Sequence, residues 1–251
     1  MKAVHDIVYS VKDGEELMLD LLLPDEGAFD VFVFFHGGGL EKGSRKGAEK
    51  HFGKWLAEHG VAVASVEYRM YPDHKYPDFL VDAANSVKFV QEHIKEYGDA
   101  KRIFVGGSSA GGYISMMLCF DRRWYDDAGV DPMSIDGYIH DAGQPTAHFN
   151  VLKYAGINPK RVIVDDTAPL YHIGTQEKYP PMTFIVSDND MKNRYEQTML
   201  VLSTLKHFGH EKDISWTLMH GTHTQYVGRI DEDGESAFGK LFFKFLKTLE
   251  E

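Results

Sequence analysis

The chain has 251 residues, 43% of them hydrophobic and 26% charged, with a formal net charge of −11. That is enough apolar material for a sizeable core, while the surplus of carboxylates argues against a surface that holds nucleic acid or anionic lipid, and no run approaches the ~20 apolar residues that span a bilayer. A single cysteine, Cys119, excludes an intrachain disulfide, and the N-terminal stretch lacks a long apolar segment with a small-residue cleavage site, so the expected location is cytoplasmic.

In chain order, strand-like runs at His5–Tyr9 and Leu17–Leu22 flank Asp13-Gly14, a hairpin signal. Phe29–Phe35 is an unbroken apolar run, as expected of a strand buried on both faces of a parallel sheet. Ala48, Phe52, Trp55 and Leu56 then share one helical face up to Gly60, and Val61–Val66 reads as the next strand. A second helical stripe, Leu80, Ala83, Val87, Val90 and Ile94, ends at Gly98 and precedes the strand Arg102–Gly106. A helix-like run, Gly112–Phe120, follows. The strands Gly137–His140, Thr183–Val186 and Ile214–Met219 alternate with helical stripes through Tyr195–Leu205 and Phe238–Leu249. A hairpin followed by repeated strand–helix units implies one domain over 1–251, with a mostly parallel eight-stranded sheet and helices on both faces. Residues 121–135 and 142–179 are less regular, and the second stretch is long enough to be a small lid or a substrate wall.

Gly107-Ser108-Ser109-Ala110-Gly111 fits G-x-S-x-G, between a strand and a helix. That setting holds a serine hydroxyl above the sheet edge on a strained turn. The phase of the motif selects Ser109 over Ser108. At the end of another strand stands His36-Gly37-Gly38-Gly39. Consecutive glycines are costly to order and are expected where backbone N–H groups must closely approach something, here a developing oxyanion, together with the N–H of Ala110. His36 itself is expected to be structural.

Such a nucleophile needs a base and an acid, in the chain order nucleophile, acid, histidine. The chain has 13 histidines, and His223, past the end of the strand Ile214–Met219 and after a glycine turn, is the best placed. His220 is the runner-up. The H-x-x-H spacing of the pair sits on a loop without a third ligand, which disfavours a metal site. After the strand Thr183–Val186 two carboxylates compete, Asp188 and Asp190; Asp190, deeper in the loop, is favoured as the group that orients the histidine, while Asp188 could cap the next helix. Asp141, Gln144 and His148 follow another strand end and are candidates for substrate contact. Trp124 and Tyr125 either line a pocket or cover an edge.

The runs FFHGGGLEKGS, VEYRMYPDHKYPDFLVDA and IFVGGSSAGGYISMML resemble the hormone-sensitive-lipase-like branch of the α/β hydrolases. They look closest to its smaller esterases, including feruloyl/acetyl-xylan-esterase-like and kynurenine-formamidase-like proteins. The resemblance covers residues 1–120 strongly, and 180–250 only through the acid and histidine loops. It implies the α/β-hydrolase fold, oxyanion donors at Gly37, Gly38 and Ala110, and Tyr68-Arg69 as an element packing under the site. It also implies that Asp166–Leu170 leads into the acid-bearing strand. Leu40 and Ser187 depart from the pattern, which often has an aromatic after the glycine run and a glycine at the start of the acid loop. The short N-terminal arm implies an open site, closed mainly by 142–179.

The activity this implies is a serine carboxylesterase acting on small acyl esters, such as acetyl or cinnamoyl esters of carbohydrates, through an acyl-enzyme. It would need no cofactor and no metal, and its partner would be a small-molecule ester rather than nucleic acid or membrane, with a homodimer as a further expectation. The same machinery would serve an amide-cleaving hydrolase, and a non-catalytic binder on the same fold is the remaining alternative.

Overall fold

The computed structural model describes residues 1–250. Strands β1 (Lys2–Lys12), β2 (Glu15–Leu23) and β3 (Ala28–Phe35) open the chain. The hairpin turn between the first two places both Asp13 and Gly14 at positive φ, 54° and 83°, the backbone that a two-residue turn of this twist requires. Two short helices follow, α1 (Lys46–Ala48) and α2 (Lys54–Glu58), joined by a π-helical turn over Glu49–Gly53. Then come β4 (Val61–Val66), α3 (Asp78–His93), β5 (Asp99–Ser108), α4 (Ala110–Phe120), α5 (Arg123–Ala128) and β6 (Gly137–Asp141). The rest comprises α6 (Phe149–Tyr154), α7 (Pro169–His172), β7 (Met182–Asn189), α8 (Arg194–His207), β8 (Ile214–Thr222) and α9 (Ala237–Thr248).

The eight strands form one sheet in the order β1-β2-β4-β3-β5-β6-β7-β8. Pairing is antiparallel for β1–β2 and β2–β4 and parallel from β4 onward. Along β3 the side chains alternate between two apolar layers. Val31, Val33 and Phe35 join the layer beneath α3 and α4, while Phe32 and Phe34 join Phe52, Phe238 and Phe242 on the other face. Every residue of α4 is buried, so this helix lies in the interior and pins the end of β5 in place.

The structure departs from the sequence reading in three places. The stripe through Ala48–Leu56 is not one helix: the π turn widens its middle, so that Phe52 packs edge-on to Phe34 at 4.8 Å between ring centroids. The stretch 121–135 contains α5, in which Trp124 and Tyr125 are both buried, with Tyr138 donating a hydrogen bond to the Tyr125 hydroxyl. The stretch 142–179 contains α6 and α7 and is tied down by side chains: Tyr113 donates to the Thr167 carbonyl, and Gln176 to the carbonyls of Cys119 and Phe120. Among the described residues no helix is long and apolar enough to cross a membrane.

Candidate active site

Ser109 occupies the single residue between β5 and α4, with φ 57° and ψ −110°. A non-glycine residue at that backbone is strained and persists only where its surroundings hold it. Here they do. The Ser109 N–H donates to the Asp141 carbonyl at 2.8 Å, and α4 passes so close to β3 that a Cβ on Gly111 would lie 1.8 Å from the Phe35 carbonyl oxygen.

His223 lies just past the end of β8 and turns back over the sheet. Its Nε2 is 2.7 Å from Ser109 Oγ and its Nδ1 2.5 Å from Asp190 Oδ1. Asp190 is almost wholly enclosed and also accepts the N–H groups of Met191 at 2.7 Å and Ser187 at 3.3 Å. Burial by itself would raise the Asp190 carboxyl, but the hydrogen bond and charge of His223, with the two backbone donors, hold it below its ordinary value. Asp188 forms a separate pair: its Oδ2 is 2.6 Å from His220 Nδ1, and its Oδ1 accepts the Gly221 N–H at 3.0 Å. This second pair is exposed and does not face Ser109, so His220 and His223 are committed to different partners.

The glycine loop abuts the serine. A Cβ on Gly37 would lie 3.2 Å from Ser109 Cβ, and one on Gly38, at φ +125°, would lie 1.8 Å from the Lys42 carbonyl oxygen. The N–H groups of Gly37, Gly38 and Ala110 are taken by no backbone carbonyl among the described residues. Asn150, from α6, steadies the loop by donating to the Gly39 carbonyl at 2.5 Å. Beneath the loop, His36 stacks on Tyr68 at 4.4 Å between centroids and donates from Nδ1 to the Gly37 carbonyl at 2.8 Å. Burial pulls the His36 imidazole down to about 4, so it stays neutral in its structural place. The Tyr68 hydroxyl donates to the His36 carbonyl, and Arg69 grips Asp82 through two hydrogen bonds of 2.9 Å.

Ser109 and His223 open onto a cleft of about 730 Å³ whose apolar wall includes Phe34, Phe52, Phe149 and Val227, with His51 at the π turn. The segment 142–179 lends only Phe149 and Asn150 to it, and residues 41–52 supply more of the wall. The long stretch instead folds down on its own strand ends. Neither Asp141, the last residue of β6, nor His148 lines the cleft. Asp141 is fully buried and accepts the Tyr226 hydroxyl, and His148 caps α6 through Asn150 N–H at 3.2 Å. Gln144 lines a neighbouring cleft. Burial pushes the Asp141 carboxyl up to about 7, against the hydrogen bond of Tyr226. Sequence reasoning missed Tyr226, Asn150 and His51. Tyr226 stands three residues after His223, the one local hint of a role in holding that loop.

A family described as alpha/beta hydrolase fold matches residues 32–140. The chain is similar to the esterase LipI of Mycobacterium tuberculosis, 38% identical over 44% of this chain and 34% of that protein. It is also similar to a probable isoprenylcysteine alpha-carbonyl methylesterase, ICMEL1 of Arabidopsis thaliana, 37% identical over 52% of this chain and 27% of that one. The carboxylesterase NlhH of M. tuberculosis is 33% identical over 49% of this chain and 42% of its own length. The chain thus spans less than half the length of each of these relatives. Among solved structures, the propionate-bound Est2 esterase of Thermogutta terrifontis superposes with a TM-score of 0.76 at 21% identity, covering 97% of this chain and 93% of that one. Esterase B of Lactobacillus rhamnosis superposes with a TM-score of 0.76 at 16% identity, over 98% and 85%. The chain has the α/β-hydrolase fold.

Proposed function

We propose that the protein is a serine carboxylesterase acting on small acyl esters, with Ser109 as nucleophile, His223 as general base and Asp190 as the acid that orients the base. The observation that carries this reading is the continuous hydrogen-bonded line from Asp190 through His223 to Ser109. Ser109 Oγ attacks the ester carbonyl as His223 Nε2 takes its proton. The carbonyl oxygen becomes an oxyanion held by the N–H groups of Gly37, Gly38 and Ala110; one such donor is typically worth about 3 kcal/mol in the transition state. The tetrahedral centre collapses, its bond to the alcohol oxygen breaks, and His223 returns the proton to the departing alcohol. Water then attacks the acyl-enzyme, giving its proton to His223, and the acid leaves as Ser109 is reprotonated. Asp190 keeps the proton of the resting imidazole on Nδ1 and stabilises the imidazolium. The apolar cleft wall suits the hydrocarbon part of an acyl group or an aromatic ester, and acetyl or cinnamoyl esters of carbohydrates are the substrates we favour.

Hydrolysis of p-nitrophenyl acetate by wild type and by Ser109→Ala tests this. Loss of the nucleophile of a working triad costs on the order of 10⁶ in kcat, and a fluorophosphonate probe is expected to label wild type at Ser109 and leave the variant unlabelled. Equal turnover by the two proteins, or labelling elsewhere, would remove Ser109 from the mechanism.

A further inference from the structure

A second cleft, of about 640 Å³, adjoins the first: Phe149 and Met191 line both. Its walls carry Lys160, Arg161, Lys192 and Arg194 and, among the described residues, no carboxylate. The chain as a whole has 38 acidic against 27 basic residues, so a cleft with four cations and no acid runs against its average. Lys160 and Arg161 come from the loop between α6 and α7. Lys192 comes from the turn that leads from Asp190 into α8, and Arg194 is the first residue of that helix.

Arg194 is the unusual member. It is 4% exposed, yet its guanidinium makes no hydrogen bond or ion pair among the described residues, and Nε and Nη1 are enclosed without a partner. A buried cation is normally paired, because desolvation otherwise costs more than packing returns. Burial draws its pKa down to about 10, with only the more distant Asp190 carboxylate opposing, so it remains charged at neutral pH. Its neighbour His148 is held neutral by burial and adds no like charge beside it. Arg194 also opens the fourteen-residue helix α8, whose N-terminal dipole adds to the positive field. The acidic residue of that first turn, Glu196, is exposed and does not line the cleft.

We propose that this cleft is an oxyanion subsite, holding the carboxylate or phosphate on the non-reacting end of an ester whose carbonyl sits at Ser109; the assignment of that carbonyl rests on the esterase reading above. The site thereby selects acidic esters, with Arg194 as the buried anchor and Lys160, Arg161 and Lys192 as the exposed rim. Such an arrangement draws the anion in from solution and loses strength as salt screens it.

Two measurements test the proposal. In the first, calorimetry at low ionic strength follows inorganic phosphate and glutarate binding to wild type, Arg194→Gln and the double variant Lys160→Ala/Arg161→Ala. The double variant changes only exposed side chains and so keeps the test open should Arg194→Gln fold poorly. Binding to wild type that weakens about tenfold in a variant and fades with added salt is expected. Tighter phosphate than glutarate would assign a phosphorylated ester, and the reverse a carboxylated one. In the second, kcat/KM is compared for p-nitrophenyl pentanoate and the p-nitrophenyl monoester of glutarate. The ratio of acidic to neutral ester is expected to fall about tenfold in the same variants. No anion binding to wild type, binding indifferent to all three positions, or an unchanged ratio would each overturn the subsite. Anion binding that depends on Arg194 in a protein without ester turnover would keep the subsite and overturn the esterase reading instead.

Discussion

Two histidine–aspartate pairs stand within four residues of one another on the chain, and their surroundings set them apart. Asp190–His223 is enclosed and reaches Ser109; Asp188–His220 is exposed, with His220 almost wholly in solvent. Removing the charge of an aspartate that orients a catalytic histidine typically costs about 10⁴ in kcat, so Asp190→Asn is expected to lose activity on that scale. Exposed ion pairs contribute little, and Asp188→Asn is expected to change kcat by less than about tenfold. Ester kinetics on the two variants checks both values, and the opposite ranking would move the orienting role to Asp188. In the sequence this choice rested on loop depth alone. Residue 188 lies at the end of β7 and residue 190 just beyond it, and it is the packing that encloses only Asp190 that separates the two.

At the scale of elements, the crossing of α4 over β3 holds the serine turn. A methyl group at position 111 would meet the Phe35 carbonyl at 1.8 Å, and neither the interior helix nor the central strand can retreat in a close-packed core. Gly111→Ala is therefore expected to destabilise the fold by more than about 4 kcal/mol, the range reserved for forced backbone clashes, as read by urea unfolding; a loss below about 1 kcal/mol would show that helix and strand can part. The strand–turn–helix setting of the motif was legible, because hydrophobic runs and glycines are local signals. The π turn at Glu49–Gly53 was not. Its residues have ordinary helical spacing, and the demand for the wider turn comes from Phe34 and Phe238 in distant elements.

Across the whole molecule, Asp141 links the serine turn to the histidine loop: its carbonyl accepts the Ser109 N–H and its carboxyl the Tyr226 hydroxyl. Burial raises that carboxyl to about 7, so the folded chain holds a proton that the unfolded chain releases near pH 4. Its contribution to stability is full below about pH 4, declines from there, and is gone once pH has risen through about 7. The buried imidazoles of His36, His140 and His148, lowered to about 4, 3 and 3, act with the opposite sign. Their folded values lie below the unfolded one, so stability is lost as pH falls below about 6.5. Comparing Asp141→Asn with wild type cancels the histidines. The Tm of the variant relative to wild type is expected to rise from pH 5 to pH 7.5 and level off above; a flat difference would mean that Asp141 ionises in the fold as freely as out of it. Asp190 does not enter this window, because its lowered value places its loss of stabilisation below about pH 4.

By itself the sequence determined the alternation of strands and helices, the parallel sheet, and the positions at strand ends where chemistry could sit. These follow from apolar periodicity and glycine placement over stretches of ten or so residues. The tertiary structure decided which aspartate meets which histidine and that Asp141 faces inward to Tyr226 rather than outward to a ligand. It also decided that the irregular loop at 159–161 joins the start of α8 around Arg194, unpaired among the described residues. Each of these joins side chains more than thirty residues apart. Burial and charge at such a place are set by what the fold packs against it, and no local pattern in the chain carries that information.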